Sequence, residues 1–273
     1  MLRFDEIGYW SELKLEIVQK YAQAYSTILS TQPKLRHFYI DAFAGAGIHI
    51  RKGTGEWVLG SPLNALNVTP PFSEYWFIDL SQDKIDNLRE AVGEWTNVHF
   101  RQGDCNDILI SEVFPRLRYE NFARGLCLID PYGLDLDWNV IKTAGQLETI
   151  EIFLNFPVMD MNRNVFWHNA SRVDAAQQQR MTRFWGDEGW RQIAYTTGND
   201  LFGHARRTDN ETIAAAFRDR LKNVAGFTHV PEPIPMRNSN GATVYYLFFA
   251  SPKAVAGKIV RQIFDKYRGY GRR

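Results

Sequence analysis

Short apolar runs alternate along the chain with longer segments of helical period. Ser11 to Leu29 places Leu13, Ile17, Ala24 and Ile28 near one face, the spacing of an amphipathic helix, with Ser11 as N-cap and Pro33 beyond its end. Leu35 to Ala42 follows as a buried strand running into the turn Gly45-Ala-Gly47. Tyr75 to Ile78 is a second strand, ended by Asp79, and Ser81 caps a helix whose apolar positions include Ile85, Leu88 and Val92. Val98 and Phe100 mark a third strand before Gly103-Asp104. Gly125 to Ile129 is a fourth, before Asp130-Pro-Tyr-Gly133, and Ile150 to Leu154 a fifth, before Asn155-Phe-Pro157. Strands alternating with helical connections predict an α/β fold with a parallel, doubly wound sheet. Phe227 to Val230 and Thr243 to Phe249 are also strand-like. The segment between them, Pro231 to Gly241, leaves no room for a crossover helix, so those two pair antiparallel or not at all. Residues 158–225 are too long for an idle loop and predict a helical insertion or lid between strands five and six, rich in aromatic residues at Phe166-Trp167, Phe184-Trp185 and Trp190.

Composition narrows the class. With 45% hydrophobic and 23% charged residues over 273 positions, the chain can bury a large core, which excludes disorder as its main state. No repeat or Pro/Ser-rich linker divides it, so we expect one domain over 1–273, with an N-terminal helical segment at 1–34 and the insertion at 158–225. Two cysteines, Cys105 and Cys127, make neither a disulfide framework nor a zinc site by themselves. His99 and Cys127 read as packing residues within strands, and no metal is expected. The longest apolar stretch, Val244 to Ala250, is too short to span a bilayer, and the first residues lack a signal-peptide pattern. The expectation is a soluble, cytoplasmic protein with no membrane partner. A net charge of +1 conceals an asymmetry: from Lys253 onward seven basic residues face Asp265 alone, a +6 tail on a body of −5. Arg163, Arg172, Arg180, Arg183 and Arg191 lie among the insertion's aromatics, with Arg206-Arg207 after them, a combination that can grip phosphates and stack bases or simply pack a lid.

In an open parallel sheet, ligands bind beyond the carboxyl ends of the strands. Asp41, Asp79, Asp104 and Asp130 close strands one to four there. The dinucleotide pattern Gly-x-Gly-x-x-Gly is broken by Ile50, which, with the terminal strand reversal, disfavours a nicotinamide-dependent oxidoreductase. Asp41-Ala-Phe-Ala-Gly-Ala-Gly47 instead resembles motif I of S-adenosylmethionine (SAM)-dependent methyltransferases, and five parallel strands followed by a reversal is the order of the class I, Rossmann-like methyltransferase sheet. That resemblance implies SAM as cofactor. Asp41, Phe43, Ala44, Gly45 and Gly47 would hold its methionine part, and Asp79 with Leu80 its ribose side. Asp104 and Cys105 would hold its adenine. Asp79 also reads as a charge at a helix N-terminus, and Asp104 as an Asx-turn cap. The long stretch Ile48 to Gly60 reads either as a flap over the cofactor or as a surface excursion, with Ser61-Pro62 capping and starting the helix after it.

Asp130-Pro-Tyr-Gly133 resembles the Asp-Pro-Pro-Tyr signature of amino-methyltransferases and, more closely, the Asp-Pro-Phe-Gly of certain tRNA guanine N2-methyltransferases. Asp130 and the Pro131 carbonyl would accept amino hydrogens while Tyr132 stacks on a planar substrate; a turn in which Asp130 only caps a helix is the alternative. In sequence order the chain also resembles the three-Cys-motif partner (TcmP) family. The matching residues include Lys14-Leu-Glu-Ile-Val-Gln-Lys-Tyr21, Phe38 to Gly47, Gly60-Ser-Pro-Leu-Asn-Ala-Leu66, Leu128 to Gly133, Asn155-Phe-Pro157 and Arg183-Phe-Trp-Gly186. This resemblance implies a radical-SAM-like partner carrying three cysteines, and no particular substrate. Lys14 itself reads as an exposed lysine, with a reach over the cofactor mouth as the alternative. The leading function is N-methylation of a nucleobase amino group in RNA or DNA. A catalytically silent SAM-binding partner protein, or methylation of a protein or small molecule, is the competing class.

Overall fold

The apolar runs become strands β1 (Arg36–Asp41), β2 (Glu74–Asp79), β3 (Val98–Gln102), β4 (Ala123–Ile129), β5 (Ile150–Phe156), β6 (Ile234–Arg237) and β7 (Thr243–Ala250). A computed structural model, which describes residues 5–167, 172–199 and 205–268, joins them in one sheet of order β6-β7-β5-β4-β1-β2-β3. The first five are mutually parallel, with Asp41 opposite both Phe77 and Leu128. β7 runs antiparallel to β5 on one side and β6 on the other. This is the class I methyltransferase order expected from the sequence.

The sixth strand lies elsewhere than expected. Of Phe227 to Val230, His229 makes one isolated bridge to Ser251, and the paired strand begins at Ile234, inside the segment read as a connection. Pro235 sits within it opposite Tyr246, which an edge strand tolerates because its outward amide needs no partner.

Side chains alternate between the two faces, as strand geometry requires. On one face Tyr39, Phe77, Leu128, Phe153 and Phe249 pack under α1 (Tyr9–Leu29), α2 (Ser61–Leu66), α3 (Gln82–Val92) and a C-terminal helix, Ala254–Tyr267. Phe153 has ring centroids 5.4 Å from Tyr21 and 5.0 Å from Phe249. On the other face Ile40, Ile78, Ile129 and Leu154 pack under α4 (Trp138–Leu147) and the insertion. The insertion comprises α5 (Val158–Asn164), α6 (Ala175–Trp185), α7 (Trp190–Ala194), a hairpin of Tyr195–Asn199 with Ala205–Arg207, and α8 (Asn210–Asn223). Its Phe166, Phe184, Trp185 and Trp190 share one buried cluster with the sheet, so these aromatics fill core. The C-terminal helix Ala254–Tyr267 is α9. No described helix is long and apolar enough to cross a membrane.

Helix starts differ in detail. α1 begins at Tyr9 with Gly8 in the cap position, earlier than the Ser11 cap predicted. Its buried stripe runs through Lys14, Ile17, Val18, Tyr21, Ala22 and Tyr25, while Ile28 is exposed. Ser81 does cap α3, accepting from the Lys84 amide at 3.4 Å. Ser61 is the first residue of α2 rather than its cap, which is Gly60.

Candidate functional site

The site is assembled where β1, β2 and β4 end. Asp41 is fully buried at the end of β1; its Oδ1 accepts from the Phe43 amide at 3.3 Å, and its Oδ2 has no hydrogen-bond partner among the described residues. Burial pushes its carboxyl up to about 7, opposed by the nearby Ser61 hydroxyl and the Phe43 amide. The chain then turns through Gly45 and Gly47, whose φ angles of 63° and 81° suit glycine. A side chain on Gly47 would strike Leu88 of α3 at 2.6 Å, whereas the space a Cβ of Gly45 would enter is open.

Asp79 ties this turn to β2. Its Oδ2 accepts from the Gly45 amide and its Oδ1 from the Ser81 amide, both at 2.9 Å. A carboxylate offers about four lone-pair directions, so two remain after these bonds. The Ala44 amide goes to the Ile78 carbonyl at 2.8 Å, while the amides of Ala46 and Gly47 are unbonded among the described residues. Leu80 is 72% exposed beside Asp79 and presents an apolar surface to a flat group.

Asp104 performs the capping role set out as its alternative: its Oδ1 accepts from the Asn106 amide at 2.8 Å and from the Asn106 side chain at 2.9 Å. Asn106 in turn joins this loop to the one after β4, accepting from the Asp137 amide at 2.8 Å. Cys105 is buried, and burial pushes its thiol up to about 12, which suits packing and leaves its backbone as its route to a ligand.

Asp130 follows β4 directly. Its Oδ2 accepts from Lys14 Nζ of α1, across 116 residues of sequence, and no group bonds Oδ1 among the described residues. The Lys14 side chain is 8% exposed and that of Asp130 27%. The exposed lysine expected from the sequence is thus a buried one, because Lys14 stands on the apolar stripe at the helical spacing i, i+3, i+4, i+7 with Ile17, Val18 and Tyr21. Pro131 and Gly133 are buried, and a side chain on Gly133 would meet Asp160 of α5 at 2.9 Å, so the loop is fixed between sheet and insertion. Tyr132 projects outward; its hydroxyl accepts from Lys84 at 2.9 Å and donates to Asp5 at 3.0 Å, with the Lys84 ammonium 4.9 Å from its ring centre.

The segment after the glycine turn is a hairpin, Ile48–Arg51 with Trp57–Leu59, joined in parallel by Glu6–Ile7 of the N-terminal segment. Its base is closed by the Gly60 amide donating to the Gly47 carbonyl at 2.7 Å, an approach that forbids a Cβ at Gly60. The hairpin carries His49, whose imidazole burial, and then the Lys14 charge, hold below its usual protonation range. The excursion is therefore attached beside the site, at the side where Lys14, Asp5 and Lys84 gather.

Three of the arginines proposed to meet phosphates are engaged by carboxylates. Arg180 pairs with Asp135 at 3.1 Å, Arg183 with Asp137 at 2.8 Å, and Arg191 with Glu188. Arg206 has no described side chain, and Arg272 and Arg273 lie outside the described residues. Sequence reasoning missed Lys84 and Asp5, and gave Lys14 only as a reach over the cofactor mouth and Ser61 only as a helix cap. The lysine in an otherwise apolar helical stripe was the one available signal.

No family model matches the chain, and no curated protein matches it. Among solved structures it is similar to a Legionella pneumophila protein of family DUF519, with TM-score 0.53 and 12% identity over 94% of this chain and 92% of that one. It also aligns with the N-methyltransferase NodS from Bradyrhizobium japonicum in complex with S-adenosyl-L-homocysteine, at TM-score 0.37 and 12% identity, over 86% of this chain and 87% of that one. At such identities the likeness concerns the fold alone, the seven-stranded sheet described above.

Proposed function

We propose that the chain is a SAM-dependent methyltransferase that acts on a nucleobase amino group in RNA or DNA. One observation carries the proposal: Asp130, at the end of the central strand β4, keeps one carboxylate oxygen free beside a glycine turn and a buried, half-satisfied Asp41. The residues suit SAM on their chemistry. Asp41 Oδ2 is an orphaned buried acceptor that an ammonium would satisfy, the amides of Ala46 and Gly47 are free to meet a carboxylate, and the open space at Gly45 admits a ligand close to the backbone. The remaining lone pairs of Asp79 can take ribose hydroxyls, and Leu80 offers apolar cover for the adenine.

SAM, when bound, supplies an electrophilic methyl carbon. Asp130 Oδ1 would accept one hydrogen of the substrate amine, orienting the nitrogen, and carry away the proton that nitrogen sheds on methylation. The open face of Tyr132, tethered through its hydroxyl, would stack on the base. A partner of the three-Cys-motif, radical-SAM-like kind is proposed on the two most discriminating sequence blocks. The residues of those blocks are engaged here: Lys14 with Asp130, Tyr21 with Glu151, and Gly60 with Gly47. Calorimetry with SAM and with NAD tests the cofactor assignment; binding of NAD and not SAM would return the chain to the oxidoreductase class. Methyl transfer assayed with and without a three-cysteine, radical-SAM-like protein of the same source tests the partner.

A further inference from the structure

We infer that Lys14 is a positioning residue of the transfer site, holding Asp130 so that one oxygen is bound to the protein and the other faces substrate. The inference rests on the reading of Asp130 as the acceptor of the substrate amine. The geometry divides the carboxylate unequally: Oδ2 receives the Lys14 ammonium, while Oδ1 has no partner among the described residues. A carboxylate free to spin about its last torsion presents either oxygen at many angles, and pinning Oδ2 fixes where Oδ1 points.

The lysine is itself held. It is 8% exposed, it stands on the buried stripe of α1, and its ammonium lies 5.7 Å from the ring centre of Tyr245 on β7. The same helix is anchored further along, where the Tyr21 hydroxyl donates to Glu151 of β5. A lysine buried on a helix costs free energy unless its charge is paired, and the pair here is made with the one residue the proposed chemistry needs. The other charged and titratable groups on this side include Asp41, which feels both Lys14 and Asp130, Tyr245, His49, and Asp5 with Lys84, the last two bonding each other and Tyr132. Lys14 is thus the cation that meets Asp130.

Two measurements test this. In the unliganded full-length protein, acetylation by acetic anhydride followed by peptide mass spectrometry should modify Lys14 at least about tenfold more slowly than exposed Lys34, and Asp130→Ala should accelerate Lys14 alone. Equal rates at Lys14 and Lys34 would overturn the inference. With methyl-labelled SAM and bulk unmodified tRNA or denatured DNA, Lys14→Met should lower kcat by about 10- to 100-fold, with KM for the nucleic acid and the Kd for SAM each changed by less than about threefold. Lys14→Arg, which keeps the charge, should recover most of the rate. A Lys14→Met rate equal to that of the unaltered protein would sink the role of Lys14 and leave the methyltransferase reading standing. Absence of label from nucleic acid with the unaltered protein, the proposed three-cysteine partner present as well as absent, would remove both. A circular-dichroism melt of each variant identifies a loss of rate caused by unfolding, and in that event the Lys14→Arg rate and the acetylation ratio decide.

Discussion

Asp79→Ala separates the structural work of this carboxylate from its proposed work on a ligand. In the protein alone Asp79 accepts two backbone amides, from Gly45 and Ser81, each at 2.9 Å. Hydrogen bonds to a charged group contribute about 1.5–3 kcal/mol each, and the Ser81 amide is only partly buried, so that water can replace part of the lost acceptor there; we expect the variant to lose about 3 kcal/mol of folding free energy. That loss should appear as a lower midpoint of urea denaturation with an unchanged slope. If the two remaining lone pairs hold ribose hydroxyls, SAM affinity should fall as well, by about 1.5–3 kcal/mol, which is about 10- to 150-fold in Kd by calorimetry at a temperature where the variant is folded. Asp79→Asn offers one acceptor oxygen and should fall between. A folded Asp79→Ala protein that binds SAM with unchanged affinity would refute the ribose assignment, and unchanged stability would refute the account of the glycine turn.

Asp41 and Glu151 make pH-dependent predictions. Burial raises the Asp41 carboxyl to about 7, so the charge a SAM ammonium would meet develops as pH rises through that value. Affinity for SAM should therefore increase about eightfold from pH 6 to 7.5, and Asp41→Asn should bind weakly with a flat profile; a wild-type Kd independent of pH would contradict the role. Glu151, buried on β5 with Tyr21 and Ser251 bonded to it, is likewise raised by burial, to about 7 from 4.5. Its folded-state value exceeds its unfolded one, so its contribution to stability is fully present below about pH 4.5 and is lost as pH rises through about 7. The difference amounts to about 3 kcal/mol. Glu151→Gln should thus gain stability relative to wild type at pH 8 and gain none at pH 4.5, measured by denaturant titration at both pH values.

Much of this architecture is visible in one dimension because it depends on local pattern. Four strand ends carry an aspartate at or just beyond the last apolar residue, and the structure brings Asp41, Asp79 and Asp130 to the carboxyl edge of adjacent strands. The glycine turn was legible because positive φ angles restrict the residue type. The sixth strand was misplaced because its four residues include a proline, which lowers any strand signal and is tolerated only at an edge, a tertiary fact. The Lys14–Asp130 pair was hidden for a related reason: the two residues are 116 apart, and charge gives no sign of burial until the stripe that carries it is placed against the sheet. Asp104 shows the opposite limit, since the same residue pattern describes a ligand acceptor and a helix cap, and the cap observed engages Oδ1 alone.

The most direct test of the proposed activity is nucleoside analysis by mass spectrometry. The protein, with the proposed three-cysteine partner present and absent, is incubated with SAM carrying a deuterated methyl group and with unmodified RNA and DNA, and the nucleic acid is then digested. The account predicts a deuteromethyl group on an exocyclic nitrogen of one nucleoside, abolished by Asp130→Ala while SAM binding persists. Label confined to protein or small molecules, or nucleoside methylation undiminished in Asp130→Ala, would contradict it.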